Sequence, residues 1–467
     1  MPIDLRLDPA EVPLLNDLYE FTVSAAFFER GMNAQACFDV GVRRLAANRG
    51  YMVMAGVERV LEVLENFRFE EPALAHLDSL GLFKPDFLDF LRRFRFTGTV
   101  RAMPEGSLFF AGETVMEVRG PLIEAQIMEP IVLNQLGIAS VLATKAARCY
   151  SVGAGRRLVE FGLRRAQGAD AGLVAARSSY LAGFHGTSDV LGGRRYGIPV
   201  FGTMSHSFVM AHEGERRAFE DFARSFPKLS TVLVDTYDTL RGVHNTVAVA
   251  RKLKDEGISI QAIRLDSGNL EQLSKQSRRI LDEAGFHDVA IFASGNLDEY
   301  KVADLLKAGS PIDAFGIGTA LTTSDDAPAA DYTYKLSEYD GRPRLKTSAG
   351  KVSLPGRKQI FRALDASGRY RGDIVGLIDE SVLMVKREFR PEPDRVVPML
   401  EVMLENGNRV LPRPSLAESR ERFMKSFEAV DPRHKAIRNP DPYPVKQSAA
   451  LGAMIISEKL RAETLQD

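Results

Sequence analysis

The feature that most constrains this chain is a strand–helix alternation between residues 155 and 320. Short apolar runs recur as RLVEFG (157–162), IPVFG (198–202), STVLVD (230–235), ISIQAIRLD (258–266), VAIFAS (289–294) and IDAFGIG (312–318). Helical patterns such as HNTVAVARKLKDEG (244–257) and NLEQLSKQSRRILDEAG (269–285) lie between them. The period is nearly even: Asp235 to Asp266 is 31 residues, Asp266 to Ser294 is 28, and Ser294 to Gly318 is 24. Consecutive parallel strands need a long crossover, which a helix supplies. The spacing therefore predicts an α/β fold, with an irregular (β/α) barrel over 151–345 rather than an open doubly wound sheet.

The flanks have a different texture and predict a second, discontinuous α+β domain built from 1–150 and about 346–467. Leu14, Leu18, Phe21 and Ala25 recur at helical spacing in 14–30, with Gly31 as a stop, and a further helix is expected over about 53–66. Short alternating runs punctuated by Pro-Glu-Gly and Ala-Gly-Glu make 98–120 a small β-rich unit, followed by a long apolar helix at about 123–149. YKLSEYDGRPRLK predicts a hairpin turning at Asp340-Gly341. The tail from 395 is expected to pack with the N-terminal segment rather than fold alone.

Composition narrows the function classes. With 61 Lys+Arg against 62 Asp+Glu, the net charge of −1 gives no reason to expect a nucleic-acid partner. No stretch of about 18 apolar residues runs uninterrupted, so no membrane span is expected, and the first residues lack the pattern of a signal peptide. Two cysteines, Cys37 and Cys149, supply neither a disulfide framework nor a multi-thiolate zinc site, which points to a reducing, cytoplasmic compartment.

In parallel α/β folds the chemistry gathers at the carboxyl ends of the strands. Those ends read Glu160-Phe-Gly-Leu-Arg-Arg, Gly202-Thr-Met-Ser-His-Ser, Asp235-Thr-Tyr-Asp-Thr, Arg264-Leu-Asp-Ser-Gly-Asn, Ser294-Gly-Asn and Gly316-Ile-Gly-Thr. Gly316–Thr319 and Asp266–Asn269 have the composition of anion cradles or of plain turns. Arg156, Arg157, Arg164 and Arg165 suit phosphate or carboxylate, or a solvated basic face. His206, framed by Thr203, Ser205 and Ser207, has the chemistry of a general acid/base or a nucleophile, with Asp235 placed to orient it. Asp235 and Asp266 end successive strands and suit magnesium or ribose hydroxyls, or else helix capping. HExxH, GxSxG and Walker A patterns are absent.

Taken together, NDLYEFT (16–22), FGLRRAQGADAG (161–172), GTMSHSFVMAH (202–212), LVDTYDT (233–239), IRLDSGNL (263–270), ASGNLDE (293–299), GIGT (316–319), SLPGRKQIFR (353–362) and PSLAESRERF (414–423) resemble the nicotinate phosphoribosyltransferase family across most of the chain. The resemblance implies a type II phosphoribosyltransferase-like barrel and ATP-coupled synthesis of nicotinate mononucleotide and diphosphate from nicotinate and 5-phosphoribosyl 1-diphosphate, in NAD salvage. It implies Mg2+, ATP as co-substrate, and a homodimer with a shared active site. By the same resemblance His206 is the transiently phosphorylated histidine and Arg264 grips the nicotinate carboxylate. Thr203 and Tyr19 contact nicotinate, Tyr19 from the other subunit, and Thr319 contacts the diphosphate sugar. Arg164 and Asp235 are further expected members, and Asp266 is placed near the ribose by spacing alone; no metal ligand is assigned. Asn269 departs from the Asp that many relatives carry there, and Lys346, Lys351 and Lys358 fit either an ATP-facing role or a solvated hairpin. The rivals are a nicotinamide or quinolinate phosphoribosyltransferase of the same fold, a catalytically silent ligand-binding relative, and a sugar-phosphate aldolase or isomerase. The last needs a Schiff-base lysine or a catalytic Glu at a strand end, which the strand ends do not offer.

Overall fold

A computed structural model describes residues 8–348 and 353–464; the expectation for Lys351 lies outside the described residues. The chain forms two compact units, Leu142–Pro328 and a second made from the segments up to Val141 and from Ala329 onward.

In the first unit six parallel strands run side by side in the order Gly186–Thr187, Arg157–Glu160, Ala314–Ile317, Ala290–Ala293, Ala262–Leu265, Thr231–Leu233. The strand earliest in the chain pairs with the latest, Leu158 opposite Phe315, as in a sheet that curls round on itself. The expected strand at 198–202 is reduced to one bridge, Thr187 with Val200. Pro199 has no N–H to donate, so the segment joins only through the Pro199 carbonyl and the Phe201 N–H, both bonded to Thr187. That economy makes the barrel irregular, and the two-residue strand at 186–187 is too short to leave a sequence pattern. The strand expected over 258–266 begins only at Ala262, because the Ile258 N–H still closes the preceding helix on Leu253.

Helices follow the strand ends, and short side chains start them. Ser205, Asp238, Asn269 and Asp298 each accept a backbone N–H from the first turn of their helices. Asn269 is thus a helix cap.

The second unit holds a seven-stranded antiparallel sheet, in the order Arg342–Pro343, Tyr332–Tyr339, Gln35–Val42, Thr114–Pro121, Thr99–Ala102, Glu401–Glu405, Asn408–Arg409. The expected hairpin is present: Asp340 and Gly341 take φ of 52° and 68°, the left-handed pair that a tight hairpin turn requires. Gly31, also left-handed, ends the helix Leu18–Glu29. Leu122–Val152, helical apart from a break near Met128, is long and apolar enough to cross a membrane by length and composition, but 67% of its most apolar window is buried in the protein. Lys358 does not face solvent: it is fully buried, paired with Asp39 and donating to the Leu354 carbonyl at 2.8 Å. Lys346 is exposed, its backbone N–H bonded to Ser353.

Arg362 is the most demanding group in this unit. It is fully buried, forks onto Asp373 with contacts of 2.6 to 3.1 Å, donates to the Leu108 carbonyl, and lies over the Tyr370 ring at 4.5 Å. Burial, then the neighbouring Asp373, pushes the Glu113 carboxyl well up from its ordinary range, so one cation need not balance two full negative charges. Removing one partner of a buried ion pair strands the other. Arg362→Leu is expected to lower unfolding free energy by about 3–5 kcal/mol in urea denaturation; a loss under about 1 kcal/mol would contradict that view of the pair.

Candidate active site

The strand ends of the parallel sheet bring five of the expected residues, Thr203, His206, Asp235, Arg264 and Asp266, into one polar group joined by hydrogen bonds and a His206–Asp266 contact. Arg264 projects from the strand Ala262–Leu265, and each of its nitrogens finds a side-chain acceptor. Nε donates to Ser294 Oγ at 2.7 Å, one terminal nitrogen to Thr203 Oγ1 at 2.9 Å, and the other to Asp266 Oδ1 at 2.6 Å. The guanidinium also lies over the Phe161 ring, 5.6 Å from its centre. Ser294 donates in turn to Asp266 Oδ1 at 2.5 Å. A planar fork held at three points cannot swing, so its remaining N–H groups face a fixed direction.

Asp266 links this fork to the imidazole. Its other oxygen, Oδ2, faces His206 Nε2 at 3.8 Å, and His206 Nδ1 lies 3.1 Å from Thr236 Oγ1. Burial works against the Asp266 charge, but the Ser294 hydroxyl and the Arg264 guanidinium outweigh it and hold the carboxyl below its ordinary range. With the pKa depressed, the carboxylate stays charged through neutral pH, and the ion pair is lost only in acid, as pH falls through the lowered value.

Asp235 does not orient the imidazole; Thr236, the next residue, meets Nδ1. Asp235 Oδ2 instead accepts the Asp266 backbone N–H at 3.0 Å and the Ser267 hydroxyl at 2.5 Å, which fixes the turn behind Arg264. Neither Asp235 nor Asp266 caps a helix, since Asp238 and Asn269 do so. That removes the bland account of both carboxylates. Asp235 Oδ1 is buried with no hydrogen-bond partner among the described residues.

The glycine-bearing turns meet beside this group. Glu160, fully buried, accepts the Gly162 N–H and, at 2.5 Å, the Thr187 hydroxyl, which sets the turn Leu163–Arg165. A methyl group on Gly162 would overlap Thr322 and come within 2.9 Å of the Gly318 carbonyl; one on Gly316 would strike Phe161 at 2.7 Å. Only glycine permits the FGLRR and GIGT turns to close on each other. Arg164 is exposed on its turn, and Thr319, also exposed, begins the short helix Thr319–Thr323. Tyr19 belongs to the other unit, on the helix Leu18–Glu29, with its ring half exposed.

Phe161, Thr236 and Ser294 went unassigned from sequence, although each stands at or beside a strand end. Position along the strand was the available signal; the hydrogen-bond partner was not. Gly162→Ala is expected to keep the fold and cut turnover at least about tenfold by misplacing these turns. Wild-type kinetics in a folded variant would contradict the close approach.

Known proteins resemble the chain over most of its length. Family descriptions match as the nicotinate phosphoribosyltransferase N-terminal domain over 14–137, the nicotinate phosphoribosyltransferase family over 156–344 and its C-terminal domain over 357–455. The chain is 45% identical to the Mycobacterium tuberculosis nicotinate phosphoribosyltransferase pncB2, covering 93% of this chain and 91% of that one. It is 38% identical to the Bacillus subtilis nicotinate phosphoribosyltransferase, covering 93% and 92%. Among solved structures, human nicotinic acid phosphoribosyltransferase superposes with a TM-score of 0.83 at 32% identity, covering 94% of this chain and 99% of that one. A nicotinate-nucleotide pyrophosphorylase from Pyrococcus furiosus gives a TM-score of 0.75 at 26% identity, covering 92% and 99%.

Proposed function

The chain belongs to the nicotinate phosphoribosyltransferase family, and from that premise we propose that the Arg264–Asp266–His206 group is where it joins nicotinate to 5-phosphoribosyl 1-diphosphate in NAD salvage. The observation that carries this reading is Asp266, which bonds the fork on one oxygen and faces the imidazole with the other.

Nicotinate enters with its carboxylate toward Arg264 and the Thr203 hydroxyl, and a guanidinium gains far more from a carboxylate than from an amide. Phe161, under the guanidinium, forms an apolar wall, and Tyr19 of a second subunit supplies a stacking face. The pyridine nitrogen carries its own lone pair and needs no general base. It attacks C1 of the sugar, the C1–oxygen bond breaks, and diphosphate departs with the electron pair. Charge develops at an oxocarbenium-like carbon, so positioning and electrostatics carry the reaction. Arg164 and the Gly316–Thr319 turn hold the phosphate groups.

With Nδ1–H donating to Thr236, His206 Nε2 keeps its lone pair and takes the terminal phosphoryl group of ATP, releasing ADP. Hydrolysis of that phosphohistidine couples ATP to transfer. Mg2+ prefers hard oxygen donors, and Asp235 Oδ1, without a hydrogen-bond partner among the described residues, is one such donor at a strand end. There the ion would neutralise diphosphate charge. A homodimer completes the site through Tyr19, and two buried free thiols, Cys37 and Cys149, suit a cytoplasmic enzyme.

Turnover of wild type and His206→Ala on nicotinate, nicotinamide and quinolinate at equal concentration, with and without ATP, tests the reading. Nicotinate is expected to be preferred, and His206→Ala to lose ATP hydrolysis while retaining slow, ATP-independent transfer. Preference for another pyridine, or ATP stimulation surviving in the variant, would overturn it.

A further inference from the structure

The first unit contains a buried charge cluster around Lys145. Lys145, on the helix Glu129–Val152, is 1% exposed along its side chain, and its ammonium meets Glu299 Oε2 at 2.7 Å, Asp326 Oδ1 at 2.8 Å and Asp325 Oδ1 at 3.2 Å. Glu299 also takes Arg148 Nε at 2.7 Å, and Arg148 reaches the Tyr300 hydroxyl at 2.9 Å. Burial draws the Lys145 pKa down, but the charge of Glu299 and the ammonium's hydrogen bonds to Asp326 and Glu299 hold it above the ordinary lysine range.

The sequence positions of these carboxylates are informative. Glu299 is the first residue of the helix Glu299–Lys307, directly after the turn that begins at Ser294, the residue holding both Arg264 and Asp266. Asp325 and Asp326 come directly after the helix Thr319–Thr323, which continues the Gly316–Thr319 turn. Ser324 between them takes a left-handed φ of 44° and donates to the Ala327 carbonyl, so the segment bends back sharply where the lysine meets it. One ammonium therefore ties together the elements behind two neighbouring strand ends, which pair in parallel as Ala290–Ala293 and Ala314–Ile317.

We infer that Lys145 is a positioning residue: through Glu299 on one side and Asp325 and Asp326 on the other, it fixes the Ser294 turn, which orients the pyridine-acid fork, against the Gly316–Thr319 turn, which holds the diphosphate sugar. This rests on the proposed role of those turns. A mobile apolar side chain in its place removes the cation that Glu299, Asp325 and Asp326 share, and the repulsion between their charges pushes the two turns apart. Misplacing substrate-holding groups by a fraction of an ångström weakens binding and the approach to the transition state together.

The test is steady-state kinetics and thermal melting of full-length wild type, Lys145→Met, Asp326→Asn and Thr319→Ala, with nicotinate and the diphosphate sugar varied separately. Lys145→Met is expected to raise KM for both substrates, by about tenfold for the diphosphate sugar. Asp326→Asn weakens only the arm to the GIGT side, removing one of its two charges, and is expected to raise KM for the diphosphate sugar while leaving that for nicotinate unchanged. Because Asp326 is partly exposed, that variant decides the matter even where Lys145→Met does not fold. A lower melting temperature and kcat with both KM values unchanged would make the cluster merely structural and overturn the inference. Thr319→Ala separates the two layers: if it leaves KM for the diphosphate sugar unchanged, the reading of the GIGT turn fails. If it raises that KM while Asp326→Asn does not, Lys145 positions nothing.

Discussion

The bidentate use of Asp266 is the constraint on which the site depends. One carboxylate oxygen receives both Arg264 and Ser294, and the other faces His206. An arginine at a strand end is long and flexible, and by itself recognises anions without discrimination. Three acceptors remove that freedom and turn the guanidinium into a fixed fork. The same carboxylate lends negative potential to the imidazole, so the two chemistries proposed for the site, recognition of a pyridine acid and capture of a phosphoryl group, would be coupled through one side chain.

The parallel sheet supplies the geometry that makes this possible. Neighbouring strands bring Arg264 and Ser294 together, Asp235 reaches across to the backbone after Leu265, and Thr236 reaches the imidazole from the next turn. Glycine permits the turns on the opposite side to close, with Gly162 against Thr322 and Gly316 under Phe161. Behind them lie buried ionisable groups, Glu160 and the Lys145–Glu299 pair, whose contacts tie the turns to the sheet. Burying such groups is costly unless they are paired, and pairing them ties the loops to the sheet.

Much of this was legible in the residues. Even strand spacing gave the parallel sheet, the Asp340-Gly341 turn gave the hairpin, and the list of strand ends contained Thr203, His206, Asp235, Arg264, Asp266 and Thr319 before any coordinates. Position along a strand is local information. The partners were not local: whether Asp235 or Thr236 meets His206 depends on sub-ångström twist between strands, and Lys145 lies in an ordinary helical pattern, VLATKAARCYS, with its carboxylates about 150 and 180 residues away. The strand expected at 198–202 failed because Pro199 cannot donate to a ladder, a reason visible in the sequence but outweighed there by the apolar run. The charge of Lys358 suggests either a phosphate or solvent, whereas Asp39 and two carbonyls compensate its burial.

The central claim is that the imidazole facing Asp266 is charged by ATP. The most direct measurement is incubation of the full-length enzyme with γ-labelled ATP and magnesium, followed by mapping of the label after alkaline quench. The account predicts acid-labile, base-stable phosphate on the peptide containing His206, discharged when nicotinate and the diphosphate sugar are added. Label on any other residue, or a phosphopeptide that persists through turnover, would contradict it.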